Sequence, residues 1–141
     1  MVVDASIVVK WLINEVDSPE ALALGDSWAE AGVALVAPYL LPFEIANALY
    51  RRVLQAELSL ERASSLVEFL LDMGIELRET PLVHVRAIEI ASELGQRAAY
   101  DSHYLALAEE LDCELWTADA RFYRAARSSA ERIRLLGGVT S

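Results

Sequence analysis

Residues 100–122 contain a complete helix–strand–helix unit, and this unit most constrains the fold of the chain. Asp101 stands where a helix begins, because an aspartate at that position accepts hydrogen bonds from unpaired backbone N–H groups. The short apolar run at 115–116 is typical of a buried strand, and Asp119 opens the next helix. Ligands bind at the carboxyl ends of the strands in an open α/β sheet. The two carboxylates are therefore expected at a binding edge.

The same alternation of short apolar runs and helical patterns covers the whole chain. Strands are predicted at residues 1–3, 33–37, 75–78, 115–116 and 133–136. Helices are predicted at residues 6–13, 18–31, 40–57, 59–74, 80–95, 101–111 and 119–126. No hairpin signal separates the strands, so the pattern predicts one α/β domain over residues 1–141, with a five-stranded parallel sheet covered by helices on both faces.

Two helix details are predicted from local chemistry. Ser18 is expected to cap the second helix, with Pro19 in its first turn. The helix at 40–57 has an apolar face predicted to comprise Phe43, Ala46, Leu49, Tyr50 and Val53. Its polar stripe, at i, i+3 and i+7, comprises Glu44, Asn47 and Arg51. With the following helix it forms an apolar hairpin, residues 40–73, that is a candidate surface for a dimer or a protein partner.

The charge balance is strongly acidic, with 12 Lys and Arg against 22 Asp and Glu, for a net charge of −10. Such a chain is not expected to bind nucleic acid through a basic surface. Five arginines lie in the last 21 residues, namely Arg121, Arg124, Arg127, Arg132 and Arg134. They leave room for a local contact with RNA, although a solvated helix face is the simpler interpretation.

Other classes of protein are disfavoured by what the sequence contains. Cys113 is the only cysteine, so an internal disulfide is excluded. His103 and Cys113 do not form a zinc-ligand pattern, and His84 is expected on a helix surface. No apolar run reaches the roughly 20 residues that span a bilayer, and no signal peptide is visible. A cytoplasmic protein without membrane contact is the expectation.

Four acidic residues are predicted to converge at one edge of the sheet: Asp4, Glu44, Asp101 and Asp119. Four like charges in close proximity repel, and they would protonate in part unless cations neutralise them. Oxygen ligands in an incomplete cage suit Mg²⁺ or Mn²⁺, which retain waters and accept substrate phosphates. Such a site can activate water and stabilise charge at phosphorus, and the metal supplies the positive charge that the chain lacks.

The sequence resembles the PIN-domain family, and within it the VapC-type toxins of bacterial and archaeal toxin–antitoxin pairs. The resemblance covers the whole chain and rests on VVDASI at 2–7, LLPFEIANAL at 40–49, AAYDSHYLALAEEL at 98–111 and LWTADARF at 115–122. It implies a three-layer α/β/α sandwich with a five-stranded parallel sheet. It also implies an Mg²⁺- or Mn²⁺-dependent endoribonuclease, commonly a homodimer that a cognate antitoxin inhibits.

The resemblance also implies roles for individual positions. The catalytic and metal-binding acids are Asp4, Glu44, Asp101 and Asp119, and the accompanying hydroxyl and amide residues are Ser6, Thr117 and, from the polar stripe, Asn47. Many family members carry a further acid or Asn shortly after the last Asp. Arg121, Phe122 and Tyr123 stand there in this chain, so the number of bound metals stays open.

Two rival functions and a structural interpretation of the acids remain. Asp101 and Asp119 could be helix caps alone, and Glu44 could serve only the helix dipole. Phosphoryl transfer through an aspartyl intermediate needs a lysine near the phosphate, yet the only lysine is Lys10, inside the first helix. In the phosphatases of that class a second Asp stands two residues after the first, where this chain has Ser6. The other rival is a non-catalytic PIN-like scaffold that binds RNA or a protein partner.

Overall fold

The structure is a computed structural model and describes residues 1–138. These residues form five strands, namely β1 Val2–Val3, β2 Val36–Ala37, β3 Glu76–Leu77, β4 Leu115–Thr117 and β5 Ile133–Leu135. They also form seven helices, namely α1 Ala5–Leu12, α2 Ser18–Glu30, α3 Leu40–Leu54, α4 Leu60–Asp72, α5 Pro81–Glu93, α6 Tyr100–Glu110 and α7 Ala120–Ala126. Within this range no helix has both the length and the apolar character needed to cross a bilayer.

All pairings in the sheet are parallel, and the strand order is β3-β2-β1-β4-β5. Helices cover the sheet to give the α/β/α sandwich, so the predicted fold class is confirmed. Strand β1 lies at the centre and is fully buried, in agreement with its continuous apolar character. Val2 pairs with Val36 on one side and with Leu115 on the other.

The direction in which successive strands are added to the sheet reverses between β1 and β4. From β1 the chain builds outward through β2 and β3, whereas β4 and β5 extend the sheet on the other side. This arrangement creates a switch point, where open α/β sheets form their binding crevice beyond the carboxyl ends of the strands. Asp4 directly follows β1, and Asp119 follows β4 by two residues. The topology thus places both acids at the crevice.

Strand β2 is shorter than the predicted run at 33–37, because the end of α2 uses the first of those residues. Gly32 adopts a left-handed conformation, with φ of 69°. The N–H of Val33 donates to the carbonyl of Trp28 at 2.9 Å, and that of Gly32 donates to Ala29 at 3.2 Å. These two bonds are the Schellman pattern of a helix C-terminus, so regular strand pairing begins only at Val36.

The predicted cap of α2 was wrong. Ser18 is the first residue of the helix, and the preceding Asp17 makes no side-chain capping bond. The hydroxyl of Ser18 instead accepts from the N–H of Glu15 at 2.9 Å and donates to the carbonyl of Ile13 at 3.0 Å. Ser18 therefore closes the turn before the helix, which explains why it is only 2% exposed.

The predicted apolar face of α3 was also partly wrong. The buried residues are Leu41, Ile45 and Leu49, whereas Phe43 is 74% exposed and Tyr50 is 53% exposed. The helix carries two apolar stripes, and only the one at i, i+4 and i+8 faces the core. Similar exposure is found for Leu71 on α4 and Ile88 on α5.

Candidate metal centre

A cavity of about 170 Å³ lies at the switch point, and the four acids predicted from sequence all line it. Its lining comprises Asp4, Ala5, Ser6, Glu44, Asp101, Tyr104 and Asp119. Two of the acids follow the ends of neighbouring strands, one lies in the second turn of α3, and one lies in the first turn of α6. The sheet edge thus collects side chains that are up to 115 positions apart in sequence, from Asp4 to Asp119.

Asp4 is the most deeply buried acid of this cavity, at 6% exposure. It caps α1, because its Oδ1 accepts from the N–H of Ser6 at 3.0 Å and from that of Ile7 at 3.4 Å. The hydroxyl of Ser6 donates to the same oxygen. All three bonds fall on Oδ1, so the capping interaction fixes the carboxylate at the wall of the cavity.

Two hydroxyls connect the ends of β1 and β4. Ser6 Oγ accepts from the N–H of Ala118 at 2.7 Å and lies 3.2 Å from Thr117 Oγ1. Thr117 Oγ1 accepts from the N–H of Asp119 at 3.0 Å. Ser6 gives its own proton to Asp4, and the Thr117 hydroxyl likewise favours the charged form of Asp4. This chain of bonds ties both aspartates to one rigid corner of the sheet.

Asp119 is held in the same way as Asp4. It caps α7, with its Oδ1 accepting from the N–H of Arg121 at 2.9 Å and from that of Phe122 at 3.1 Å. Its second carboxylate oxygen makes no hydrogen bond within residues 1–138. The helix cap and the cavity-lining role predicted from sequence therefore coexist in one side chain.

Asp101 is not the helix cap that the sequence predicts. Helix α6 begins one residue earlier, at Tyr100, and Ala99 occupies the cap position without a side-chain bond. Asp101 lies inside the first turn, and no hydrogen bond of its carboxylate is found in the described part of the chain. A half-buried acid without a structural partner, facing three other acids, has no evident role in stabilising the fold.

Glu44 has a partner that sequence reasoning missed. The hydroxyl of Tyr104 donates to Glu44 Oε1 at 2.7 Å, although the tyrosine itself is only 1% exposed. Tyr104 lies three residues after Asp101, so both side chains are on one face of α6. That spacing, three residues after a predicted site acid, was the signal available in the sequence.

The electrostatics of the cavity favour protonated carboxyl groups in the absence of a cation. Burial raises the pKa of Asp4 to about 7, against the opposing effect of the Ser6 and Thr117 hydroxyls, and the charge of Asp101 raises it further. Burial also raises the pKa of Glu44, which Tyr104 partly offsets. The pKa of Asp101 is raised by burial and then by the charge of Asp119. The four acids thus form one coupled group around Asp101.

The donor chemistry of this group fits a small divalent cation. All the ligands are oxygens, the carboxylates repel one another, and two of them are fixed in place as helix caps. As the side chains stand, however, no three His, Cys, Asp or Glu groups in residues 1–138 are arranged to hold one ion. Binding would require the carboxylates to move inward, and Glu44 and Asp101 are the two that make no bond to the backbone within residues 1–138.

Asn47, predicted as a supporting residue, does not line the cavity. It is exposed on α3, one turn beyond Glu44, and Arg51 is exposed one turn further. The polar stripe on α3 therefore leads away from the cavity along the surface. If these two residues contact a ligand, they contact a part of the ligand that extends out of the cavity.

A larger cavity of about 680 Å³ lies at the opposite edge of the sheet, near the residues that precede β4 and β5. Its arginines are already paired, since Arg132 bonds Asp112 at 3.3 Å and Arg134 bonds Glu114 at 2.8 Å. Three of its acids, Glu109, Asp112 and Glu114, are ion-paired as well, so we assign it no chemistry.

The fold and the acidic crevice together define a nuclease-type α/β domain, and comparison with known proteins agrees. The family model described as PIN domain matches residues 1–128, so the chain belongs to the PIN domain family. The crystal structure of PAE2754 from Pyrobaculum aerophilum is similar, with a TM-score of 0.72 and 20% identity over 96% of this chain and 88% of that chain. At that identity the likeness shows the fold alone. No curated protein matches the sequence significantly.

Family membership carries a general functional statement. PIN domains are usually nucleases and generally use divalent metals, which supports a hydrolase that cleaves RNA. The family resemblance seen in the sequence is thereby confirmed at the level of the PIN domain.

Proposed function

We propose that this chain is an Mg²⁺- or Mn²⁺-dependent endoribonuclease and the toxin component of a type II toxin–antitoxin system. The observation that carries the nuclease proposal is the coupled group of four acids at the switch point of a PIN fold. A structural set of acids would be paired with bases or fully used as caps, whereas Asp101 has neither kind of partner within residues 1–138.

The geometry supports distinct roles for the four acids. Asp4 and Asp119 provide fixed carboxylates, because the caps of α1 and α7 hold them. Asp101 completes the ligand group from the first turn of α6. Glu44, oriented by Tyr104, either joins this group or accepts a proton from the attacking water. A bound divalent cation would neutralise the acids and stabilise the charge that develops on the phosphodiester. In-line attack would leave 5′-phosphate and 3′-hydroxyl ends.

The toxin role and the partners rest on the narrower resemblance to VapC-type toxins. It supports a cognate antitoxin and a homodimer as partners. The exposed apolar side chains of α3, Phe43, Tyr50 and Leu54, provide a surface for such an association. The competing proposal is a non-catalytic scaffold. The open arrangement of the carboxylates supports it, whereas the presence of all four acids argues against it.

The experiment that tests the nuclease proposal is cleavage of a mixed cellular RNA pool with Mn²⁺ or Mg²⁺. We expect the purified protein to cut RNA, and we expect a chelator or Asp101→Asn to abolish cutting. Asp72→Asn, which changes an exposed acid on α4, is the matched control and should retain activity. Mapping of the new ends would identify the target and test the predicted 5′-phosphate.

Equal activity in the parent and Asp101→Asn would reveal a contaminating nuclease. RNA that is bound by both proteins and cut by neither would favour the scaffold.

A further inference from the structure

We propose that His84 and His103 form a second metal site, for a borderline transition metal such as Zn²⁺. This site is separate from the acidic cavity and does not depend on the proposed nuclease function. His84 lies on α5 and His103 on α6, and these two helices pack against each other. Nδ1 of His84 lies 3.0 Å from Nε2 of His103, with the ring planes at 68°.

The outer nitrogen of each ring already has an acceptor. Nδ1 of His103 lies 2.7 Å from the carbonyl oxygen of Ala99, which can only accept, so this nitrogen carries the hydrogen. Nε2 of His84 lies 3.3 Å from a carboxylate oxygen of Glu79, which again favours a hydrogen on that nitrogen. When both rings are neutral, these contacts place the hydrogens on the outer nitrogens.

It follows that the two inner nitrogens present lone pairs to each other. At 3.0 Å this arrangement is repulsive unless a positive species lies between them. Two metal–nitrogen bonds of about 2.05 Å that span 3.0 Å meet at about 94°, an angle available to Zn²⁺, Ni²⁺ and Cu²⁺. A shared proton is the alternative occupant, and the test separates the two.

The surroundings match those of histidines that bind metals. Such histidines usually donate their second N–H to a carboxylate or a backbone carbonyl, which fixes the ring and the tautomer. Glu79 and Ala99 supply one acceptor of each kind. The side chain of His84 is 51% exposed, so water can fill the remaining coordination positions. The site therefore has two protein ligands, and this agrees with the finding of no three-ligand group in residues 1–138.

The histidine site and the acidic cavity lie on different sides of α6. His103 follows Asp101 by two residues, which corresponds to about 200° around a helix. The two sites also differ in the metals that they would bind, because imidazole suits Zn²⁺, Cu²⁺ and Ni²⁺ while carboxylates suit Mg²⁺ and Mn²⁺. A metal held by the two histidines would clamp α5 to the first turn of α6.

The test is calorimetric titration of the untagged full chain with Zn²⁺. Excess Mg²⁺ is present throughout, so that it occupies the acidic residues in competition with Zn²⁺. We expect one Zn²⁺ per chain, with binding at least about 100-fold weaker in His84→Gln and in His103→Gln. Glu79→Gln should weaken binding by about 10- to 100-fold, as is usual for a residue that orients a ligand. Asp101→Asn and Cys113→Ser are the controls and should bind Zn²⁺ like the parent.

Thermal unfolding of each variant in chelator checks its fold. Because His84 is largely exposed, its variant is expected to fold even if the His103 variant does not. Failure to bind Zn²⁺ at millimolar concentration would show that only a proton occupies the gap, and would overturn the proposal. Unchanged binding in folded His84→Gln would overturn it as well. Neither result bears on RNA cleavage, which is read in a separate assay.

Discussion

Asp4 carries most of the electrostatic cost of the acidic cavity, because it is nearly fully buried and its charge is opposed by that of Asp101. Its pKa rises from 3.8 to about 7 on folding, so the folded state prefers the neutral acid. Stability due to this preference is fully present below about pH 4 and is lost as the pH rises through about 7. Without a cation, the fold is weakened at the pH where it would act.

We therefore predict that Asp4→Asn stabilises the metal-free protein at pH 8, by on the order of a few kcal/mol, while abolishing cleavage. Asparagine keeps an oxygen for the cap of α1 but carries no charge. The measurement is chemical unfolding in chelator from pH 4 to pH 8. The difference between the variant and the parent should grow with pH, and a difference independent of pH would contradict the account.

Tyr104 is expected to act on catalysis only through Glu44, since its hydroxyl makes a 2.7 Å bond to that carboxylate. Loss of one hydrogen bond to a charged group corresponds to about 1.5–3 kcal/mol, so Tyr104→Phe should lower the cleavage rate by about tenfold or more. The control is Tyr100→Phe on the same helix, whose side chain is exposed. Equal rates in all three proteins would show that the orientation of Glu44 does not matter.

At the scale of the element, α6 is the helix most enclosed by the fold. Its buried residues are Ser102, Tyr104, Leu105, Ala106, Leu107 and Ala108. Ser102 is fully buried, and its Oγ has no hydrogen-bond partner within residues 1–138. An unsatisfied buried hydroxyl of this kind is destabilising.

Ser102→Ala should accordingly raise the free energy of unfolding by about 1 kcal/mol or more. Alanine also has the higher helix propensity, so Ser65→Ala, at an exposed position of α4, measures that contribution alone. Urea denaturation of both variants isolates the effect of the buried hydroxyl. A gain no larger than that of Ser65→Ala would mean that Ser102 does have a partner, such as a water.

Helix α3 shows why the sequence alone left its orientation undecided. It has apolar residues on two sides, and periodicity cannot tell which side faces the sheet. The structure buries Leu41, Ile45 and Leu49 and leaves Phe43, Tyr50 and Leu54 exposed. The outer stripe is thus an unpartnered apolar surface, in accord with the proposed homodimer.

If this stripe forms the dimer, Leu54→Glu should weaken association by at least about 100-fold, because a charge would be buried in an apolar interface. Leu54 is 67% exposed in the single chain, so its replacement should leave the melting temperature of the monomer nearly unchanged. Val16→Glu, at a position that is 79% exposed, is the control. Sedimentation equilibrium measures both, and a parent that is already monomeric would contradict the dimer.

At the scale of the whole molecule, much of the architecture could be predicted from the sequence. The alternation of apolar runs and helical patterns predicted the five parallel strands, since short buried strands and amphipathic helices leave a clear signal. The approach of Asp4, Glu44, Asp101 and Asp119 to one cavity followed from the rule that binding residues lie at the carboxyl ends of strands.

The features that could not be predicted from the sequence depend on contacts between distant segments. The cap of α6 lies at Ala99, two residues before the predicted Asp101, so Asp101 became free of backbone bonds. Tyr104 gained its role only because α6 packs close to the start of α3. The paired histidines come from two helices whose contact no local pattern encodes. Each of these features is set by tertiary packing, which sequence spacing does not report.

Binding of Mn²⁺ to the purified protein tests most directly whether the four acids form one metal centre, because it needs no knowledge of the RNA target. The loss of the free Mn²⁺ signal in electron paramagnetic resonance would be measured for the parent, Asp101→Asn and Asp72→Asn. We predict saturable binding in the parent and in Asp72→Asn, and at least about tenfold weaker binding in Asp101→Asn. Equal affinity in all three proteins would contradict the assignment of the acidic cavity as a metal centre.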